Sequence, residues 1–312
     1  MTDIKVSVIL CTVRDSQAYS QRPEWDVLDK VVDDLALQVD APPFELIIVD
    51  GLLGKRRRRE DDVSFPICHV PPRIGSPWVR MRKVAISAYR NAGIATARGE
   101  LCLNCDDCAV LPPNFVNTFW RAWNEQHIAL AMSWPNRGDR RPLGRVTRPG
   151  TVHGFGSYPR ELALQLNGYD EAYDGGQGLE DMDWSWRLHM AGLQQALVPL
   201  PGFDIADQTA HSREAIDLER PVVKCCNQAW QSVRMRRDIR VANLAENWPR
   251  QELERLVGPC PFLHGTRCGH HEDRNPCAYL EAGFADRLDP QAAAIFDEPP
   301  VLSLRALSEA SR

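Results

Sequence analysis

Apolar residues along the first hundred positions come in two alternating kinds of run, and each predicts its own element. Ile4 to Cys11 is short, apolar and rich in β-branched side chains, the pattern of a buried strand. Trp25, Leu28, Val31, Val32 and Leu35 then recur at helical spacing, which predicts an amphipathic helix from Glu24 to about Gln38. Pro42-Pro43 stops that helix, and Phe44 to Val49 forms a second buried strand with Asp50-Gly51 at its C-terminal end. Ile67 to Val70 suits a third strand. Lys83 to Ala97 reads as a helix ended by Gly99, and Glu100 to Cys105 as a fourth strand that carries Asp106-Asp107-Cys108 to its edge. Pro112-Pro113-Asn114 opens another helix, and Pro159 to Leu166 is a short one. This alternation predicts an α/β fold: a mostly parallel central sheet flanked by helices.

The pattern weakens further on. Trp134 to Thr151 is rich in Arg, Gly and Pro and reads as a loop, and helical spacing returns from Arg213 to about Arg240. Beyond Glu246 the chain turns to Cys, His and Pro. Residues 1–245 are therefore expected to form one domain and residues 246–312 a small Cys/His-rich C-terminal extension.

Composition narrows the partners. Among 312 residues, 44% are hydrophobic and 25% charged, as in an ordinary soluble globular protein. A net charge of −5 gives no global reason to bind nucleic acid or an anionic membrane. One local run runs against that average: Lys55 and Arg56 to Arg59, followed at once by Glu60-Asp61-Asp62, which suits either a solvated loop or a phosphate grip. No stretch approaches the ~20 apolar residues of a membrane span. The first residues start a strand and lack the features of a signal peptide, so a cytoplasmic protein is expected, with its ten cysteines as thiols or metal ligands.

Candidate chemistry lies in three acidic groups on loops: Asp50, Asp106-Asp107 and Glu180-Asp181. The first two groups follow strands, at the edge where open α/β sheets bind their ligands. The third follows Gly175-Gly176-Gln177-Gly178-Leu179, a glycine-rich loop feeding the first turn of a helix expected from Asp181 to Met190. Glycines allow close approach to a ligand, and a helix N-terminus favours ionised carboxylates. Each group alone also reads as turn or capping chemistry. Together they suit a hard divalent cation at the paired carboxylates and a general base across the cleft.

The order of motifs resembles the family 2 glycosyltransferases of GT-A fold. The resemblance is carried by Ser7 to Thr12, Glu45 to Gly51, Arg90 to Glu100, Leu101 to Phe115, and Asn167 to Leu188, whose catalytic segment is galactosyltransferase-like. It covers roughly residues 4 to 215. It implies an inverting transfer of a sugar from a nucleoside-diphosphate donor, a UDP-sugar, to an acceptor hydroxyl. It further implies Asp181 as the base, with Glu180 as acceptor partner or substitute base. Thr12, Arg14, Asp50, Arg90, Asp106 and Gly176 would bind the donor. Asp106, Asp107 and His211 would hold Mn²⁺ or Mg²⁺. The family's Asp-x-Asp would end at Cys108, a softer ligand than Mg²⁺ prefers.

Trp184 and Trp186 flank the base as sugar-stacking or core residues, at least one of them core, and Gly154-Phe155-Gly156 could border the donor pocket. Asp183 is assigned a structural role. In the extension, Cys260, His264, Cys268 and Cys277, with His270 and His271, suit a structural zinc; an iron–sulfur cluster or independent thiols are the alternatives. Two further functions compete with the enzyme: a nucleotide-sugar or nucleic-acid binding module that has lost catalysis, and a transferase acting on a nucleic-acid acceptor. The second would grip phosphates through Arg56 to Arg59, Arg137, Arg140, Arg141, Arg145 and Arg148.

Overall fold

The computed structural model describes residues 3–12, 27–51, 61–73, 85–107, 109–132, 144–145, 155–174, 179–198, 200–205, 231, 233–244 and 302–311. A five-stranded sheet organises them. β1 (Val6–Thr12) lies at its centre, parallel to β2 (Phe44–Asp50) on one side and to β4 (Leu101–Asp106) on the other. β3 (Ile67–Val70) extends the parallel set beyond β2, and β8 (Ser157–Pro159) closes the other edge antiparallel to β4. The spatial order is β3-β2-β1-β4-β8. The chain therefore leaves β1 in one direction and later returns on its opposite flank. The crevice between the C-terminal ends of β1 and β4 is the switch point at which such sheets bind ligands.

Alternation along the strands fills both faces. Val6, Val8, Leu10, Leu46, Ile48, Leu101 and Leu103 pack with α1 (Val27–Ala36) and α3 (Phe115–Gln126) through Leu28, Val31, Val32, Leu35, Phe115, Val116 and Phe119. Ile9, Ile47, Val49 and Cys102 face α2 (Ile86–Thr96), α4 (Arg160–Gln165) and α5 (Glu180–Met190). Gly93 brings α2 onto β1, because a Cβ there would stand 2.3 Å from Ile9 Cγ2. Ser7, a buried polar residue of β1, is answered within the sheet: its hydroxyl donates to buried Glu45 at 2.7 Å, and Glu45 also accepts from Arg98 N at 2.8 Å.

Two small sheets complete the described fold. β6 (Ile128–Met132) runs parallel to β9 (Gln194–Val198), which pairs antiparallel with β7 (Gly144–Arg145). β5 (Ala109–Val110) pairs with β10 (Asp204–Ile205). The hydrophobic pattern did not bring out β6 or β9, whose burial depends on each other.

Residues 302–311, assigned to the extension, carry α6 (Leu304–Ala310) and pack into the main core through Leu302 and Leu304. Asn167 holds them in place. Its amide donates to the carbonyls of Leu302 and Ala242, and its side-chain oxygen accepts from Leu304 N at 2.7 Å. A polar head count reads Ser and Arg as surface, whereas burial here rests on two leucines and a long-range amide. Residues 246–301, and with them Cys260, His264, Cys268, His270, His271 and Cys277, lie outside the described residues.

Candidate active site

At the switch point, Thr12 ends β1, Asp50 ends β2, and Asp106 ends β4. Parallel register places them side by side: Thr12 pairs with Asp50, and Cys11 with Asp106. Asp50 is wholly buried, and Asp107 nearly so at 7% exposure. The Thr12 hydroxyl donates to Asp107 Oδ2 at 2.7 Å, which ties the β1 and β4 ends together across the crevice. Asp106 and Asp107 thus differ despite adjacency: Asp107 turns inward onto Thr12, and Asp106 remains half-buried at the edge. Beneath them, burial pushes the Cys11 thiol up to about 12, so it stays protonated.

The opposite wall is α5. It begins at Glu180, one residue earlier than the spacing predicted, after Leu179 in the left-handed region at φ 76°. That conformation swings Glu180 and Asp181 together toward α2, where Arg90 waits. Arg90 donates to Asp181 Oδ1 at 2.5 Å and lies 3.9 Å from Glu180. Burial alone would weaken the hold of Arg90 on its proton. Asp181, Tyr169, Glu180 and Asp106 outweigh burial and raise its pKa well above the ordinary value.

Glu180 departs from expectation. A helix N-terminus should favour its ionised form, yet burial, and then repulsion from Asp181, push it from 4.5 up to about 8. Arg90 and its own backbone N–H pull the other way and lose. The dipole term is worth a fraction of a kcal/mol to ~2 kcal/mol, whereas removing a carboxylate from water costs several. Asp181 is the more accessible of the two, with 24% of its side chain exposed against 11% for Glu180.

A second layer fixes these walls, and the sequence pattern missed most of it. α2 has no local side-chain cap; instead Asp174, far along the chain, accepts from Ser87 N at 2.8 Å and Ala88 N at 3.0 Å. Burial, then neighbouring Glu171, raise the Asp174 carboxyl well above its usual range. Asn91 donates to Tyr169 O and Glu171, and Glu171 pairs with Arg73 through two hydrogen bonds. Gly168 is required at the start of this segment: its φ is +69°, and a Cβ would stand 2.2 Å from Asn91 Oδ1.

Asp183 is structural, as expected. It is 1% exposed, accepts from Arg187 Nε at 2.7 Å, and has Arg234 Nε within 2.9 Å, close enough for charge pairing but not aligned for a hydrogen bond. Arg234 also pairs with Asp170. Trp184 and Trp186 are both buried, so both are packing residues, and Phe155 lies in the core against Phe203. Arg14, Gly176, Cys108 and His211 lie outside the described residues, as do Gly154 and the arginines at 56 to 59. Among the described residues, no group of three or more His, Cys, Asp or Glu is disposed to hold a metal ion, and no helix is long and apolar enough to cross a membrane.

A mostly parallel sheet with helices on both faces and acidic strand ends at its switch point is the GT-A arrangement, the fold of nucleotide-diphospho-sugar transferases. Solved structures agree on that fold. The chain is similar to S. aureus TarS 1-349 in complex with UDP, at 15% identity and a TM-score of 0.51, over 99% of this chain and 87% of that one. Its likeness to the same protein in complex with UDP-GlcNAc is 14% identity and TM-score 0.51, over 98% and 91% of the two chains. A looser one is to glucosyl-3-phosphoglycerate synthase from Mycobacterium tuberculosis in complex with Mn²⁺, UDP-glucose and glycerol 3-phosphate. There the identity is 15% and the TM-score 0.46, over 72% and 80% of the chains. No family model and no curated protein sequence matches the chain. Identities this low speak for the fold alone.

Proposed function

We propose that this protein is a glycosyltransferase that moves a sugar from a nucleoside-diphosphate donor, a UDP-sugar, to an acceptor hydroxyl with inversion. One observation carries the reading: Arg90 holds Asp181, which is partly open to solvent, and the same guanidinium interacts with Asp106 at the end of β4. The bound UDP and UDP-GlcNAc of the similarly folded TarS structures lend support to the donor class.

Asp181 takes the acceptor proton. Its bond to Arg90 fixes one oxygen and leaves the group oriented for proton abstraction. Glu180 keeps its proton to about 8, so near neutrality it donates a hydrogen bond to the acceptor and adds no second negative charge beside Asp181. As the acceptor oxygen attacks the sugar carbon, the bond to the diphosphate breaks from the opposite face. Asp50 belongs to the donor side, for the base of the nucleotide, and Asp106 serves its ribose or the cation.

The donor set fits a divalent cation in part. Asp106 offers a hard oxygen at the crevice edge, while Asp107 is committed to Thr12. Asp106 would hold the cation, with Asp107 positioning the β1 end behind it. A cation bound there would supply positive charge to the leaving diphosphate. A structural zinc in the Cys/His-rich segment stays a proposal of the residue types, tested by metal content after dialysis.

The experiment is UDP release from a panel of UDP-sugars with Mn²⁺ or Mg²⁺ and hydroxyl acceptors, in wild type and Asp181→Asn. Turnover that the variant loses while still binding UDP supports the reading. Binding without release across the panel turns it into a nucleotide-sugar binding module. A steep loss of turnover with salt and dependence on added RNA or DNA would point to a nucleic-acid acceptor.

A further inference from the structure

Arg90 does not meet Asp181 unsupported. Its guanidinium carbon stands 4.9 Å from the centre of the Tyr169 ring. Tyr169 packs on Trp184 with ring centres 4.8 Å apart, and Arg187 covers Trp184, also at 4.8 Å. Side chains from three segments therefore form one buried pile: guanidinium, phenol, indole, guanidinium. Ring faces carry negative potential and attract cations, more so where water is excluded.

The Tyr169 ring has little freedom. Its hydroxyl accepts from Asn104 Nδ2 at 2.6 Å, and Asn104 Oδ1 accepts from the Tyr158 hydroxyl at 2.8 Å. Its backbone is clamped to α2 at the residue next to Arg90: Tyr169 N donates to Asn91 Oδ1 at 2.8 Å, and Asn91 Nδ2 donates to Tyr169 O at 2.9 Å. Tyr158 meets Trp184 edge-on at 5.1 Å and closes the pile from the sheet side. Among the described residues Trp184 Nε1 is buried without a hydrogen-bond partner, so the indole is held by its ring contacts.

We propose that Tyr169 is a positioning residue whose ring face holds the Arg90 guanidinium in line with Asp181, and so aims that carboxylate at the acceptor. The role rests on the reading of Asp181 as base. An arginine side chain has many rotamers, and freezing it costs entropy that a flat platform offsets. The ring face, not the hydroxyl, performs this work, because the hydroxyl points to Asn104.

Tyr169→Leu and Tyr169→Phe separate the two. In ¹⁵N-arginine-labelled protein, the Arg90 Nε–H is expected to exchange with water about tenfold faster in the leucine variant. With UDP-glucose or UDP-GlcNAc as probe, kcat should fall about tenfold while KM holds within about twofold, the mark of a lost orienting contact. Tyr169→Phe should recover most of both. A leucine variant with unchanged Arg90 Nε–H exchange overturns the proposal, as does a phenylalanine variant as damaged as leucine. If leucine fails to fold by circular dichroism, Tyr169→Met takes its place. Should no UDP-sugar turn over in the wild type, the function falls, and Arg90 Nε–H exchange still decides the positioning role.

Discussion

Asp181 and Asp183 sit two residues apart on the first turn of α5, each paired with arginine, yet their surroundings differ. Asp181 meets Arg90 at 2.5 Å with a quarter of its side chain exposed. Asp183 lies between Arg187 and Arg234 with 1% exposure, and burial raises its carboxyl above the ordinary value despite the Arg187 guanidinium. A step of two residues on a helix turns a side chain about 200° at 3.6 residues per turn, so the pair point to opposite sides. The lesson is that water, not residue type, divides them. A carboxylate that keeps solvent contact can exchange a proton with a substrate, whereas one enclosed by two guanidiniums serves only to hold elements together.

Four experiments stress that contrast. The largest effect belongs to Asp181→Asn. It should lower kcat for sugar transfer about 10³-fold, within the range of a lost general base, and leave the melting temperature near wild type. Asp183→Ala should do the reverse, because it strands two buried arginines. A loss of about 3–5 kcal/mol in chemical denaturation is expected for breaking such a network. Equal damage to stability from both changes would erase the distinction.

Glu180→Gln comes next and tests the neighbour that burial pushes up to about 8. A carboxyl whose folded pKa is raised binds its proton more tightly in the folded state. Its contribution to stability is full below the ordinary 4.5 and is lost as pH rises through about 8. Wild type should therefore lose more melting temperature than Glu180→Gln between pH 6 and pH 9, by roughly 2–4 °C. Parallel curves would mean that Glu180 ionises as an exposed glutamate does. The smallest effect is expected from Glu125→Ala, which removes the fully exposed Arg121–Glu125 pair on α3. No measurable change in melting temperature should result, since exposed pairs gain little over their hydration.

Much of the frame was legible along the chain. The strand at Ile67 to Val70 ends where the pattern placed it, and β1, β2, β4, α2 and α4 fall within a few residues of expectation. Apolar runs and proline or glycine stops act locally, so they can be read locally. The short strands β6 and β9 were not legible, because each is a strand only by virtue of the other. Within the site, Asp50, Asp106 and Asp181 stood out because glycine or a strand end marks each one. Asp174 did not: it caps a helix 87 residues away, and no local pattern encodes that distance. Tyr169 and Asn91 were hidden for the same reason. The packing of the C-terminal segment was not legible, because its two anchoring leucines sit among polar residues, and only Asn167 and the core they meet explain their burial.

The sequence by itself determined which residues could carry charge at the ends of strands, and it determined the α/β order that lines those ends up on one edge. Periodicity and turn chemistry are properties of neighbours, and they need no fold to be read. Tertiary structure decided what surrounds each charge. It placed Arg90 against Asp181, sealed Asp183 between two arginines, turned Asp107 onto Thr12 and raised Glu180 far enough to hold a proton. Proton affinity and pairing depend on burial and on distances between remote segments, and these exist only once the chain has closed on itself.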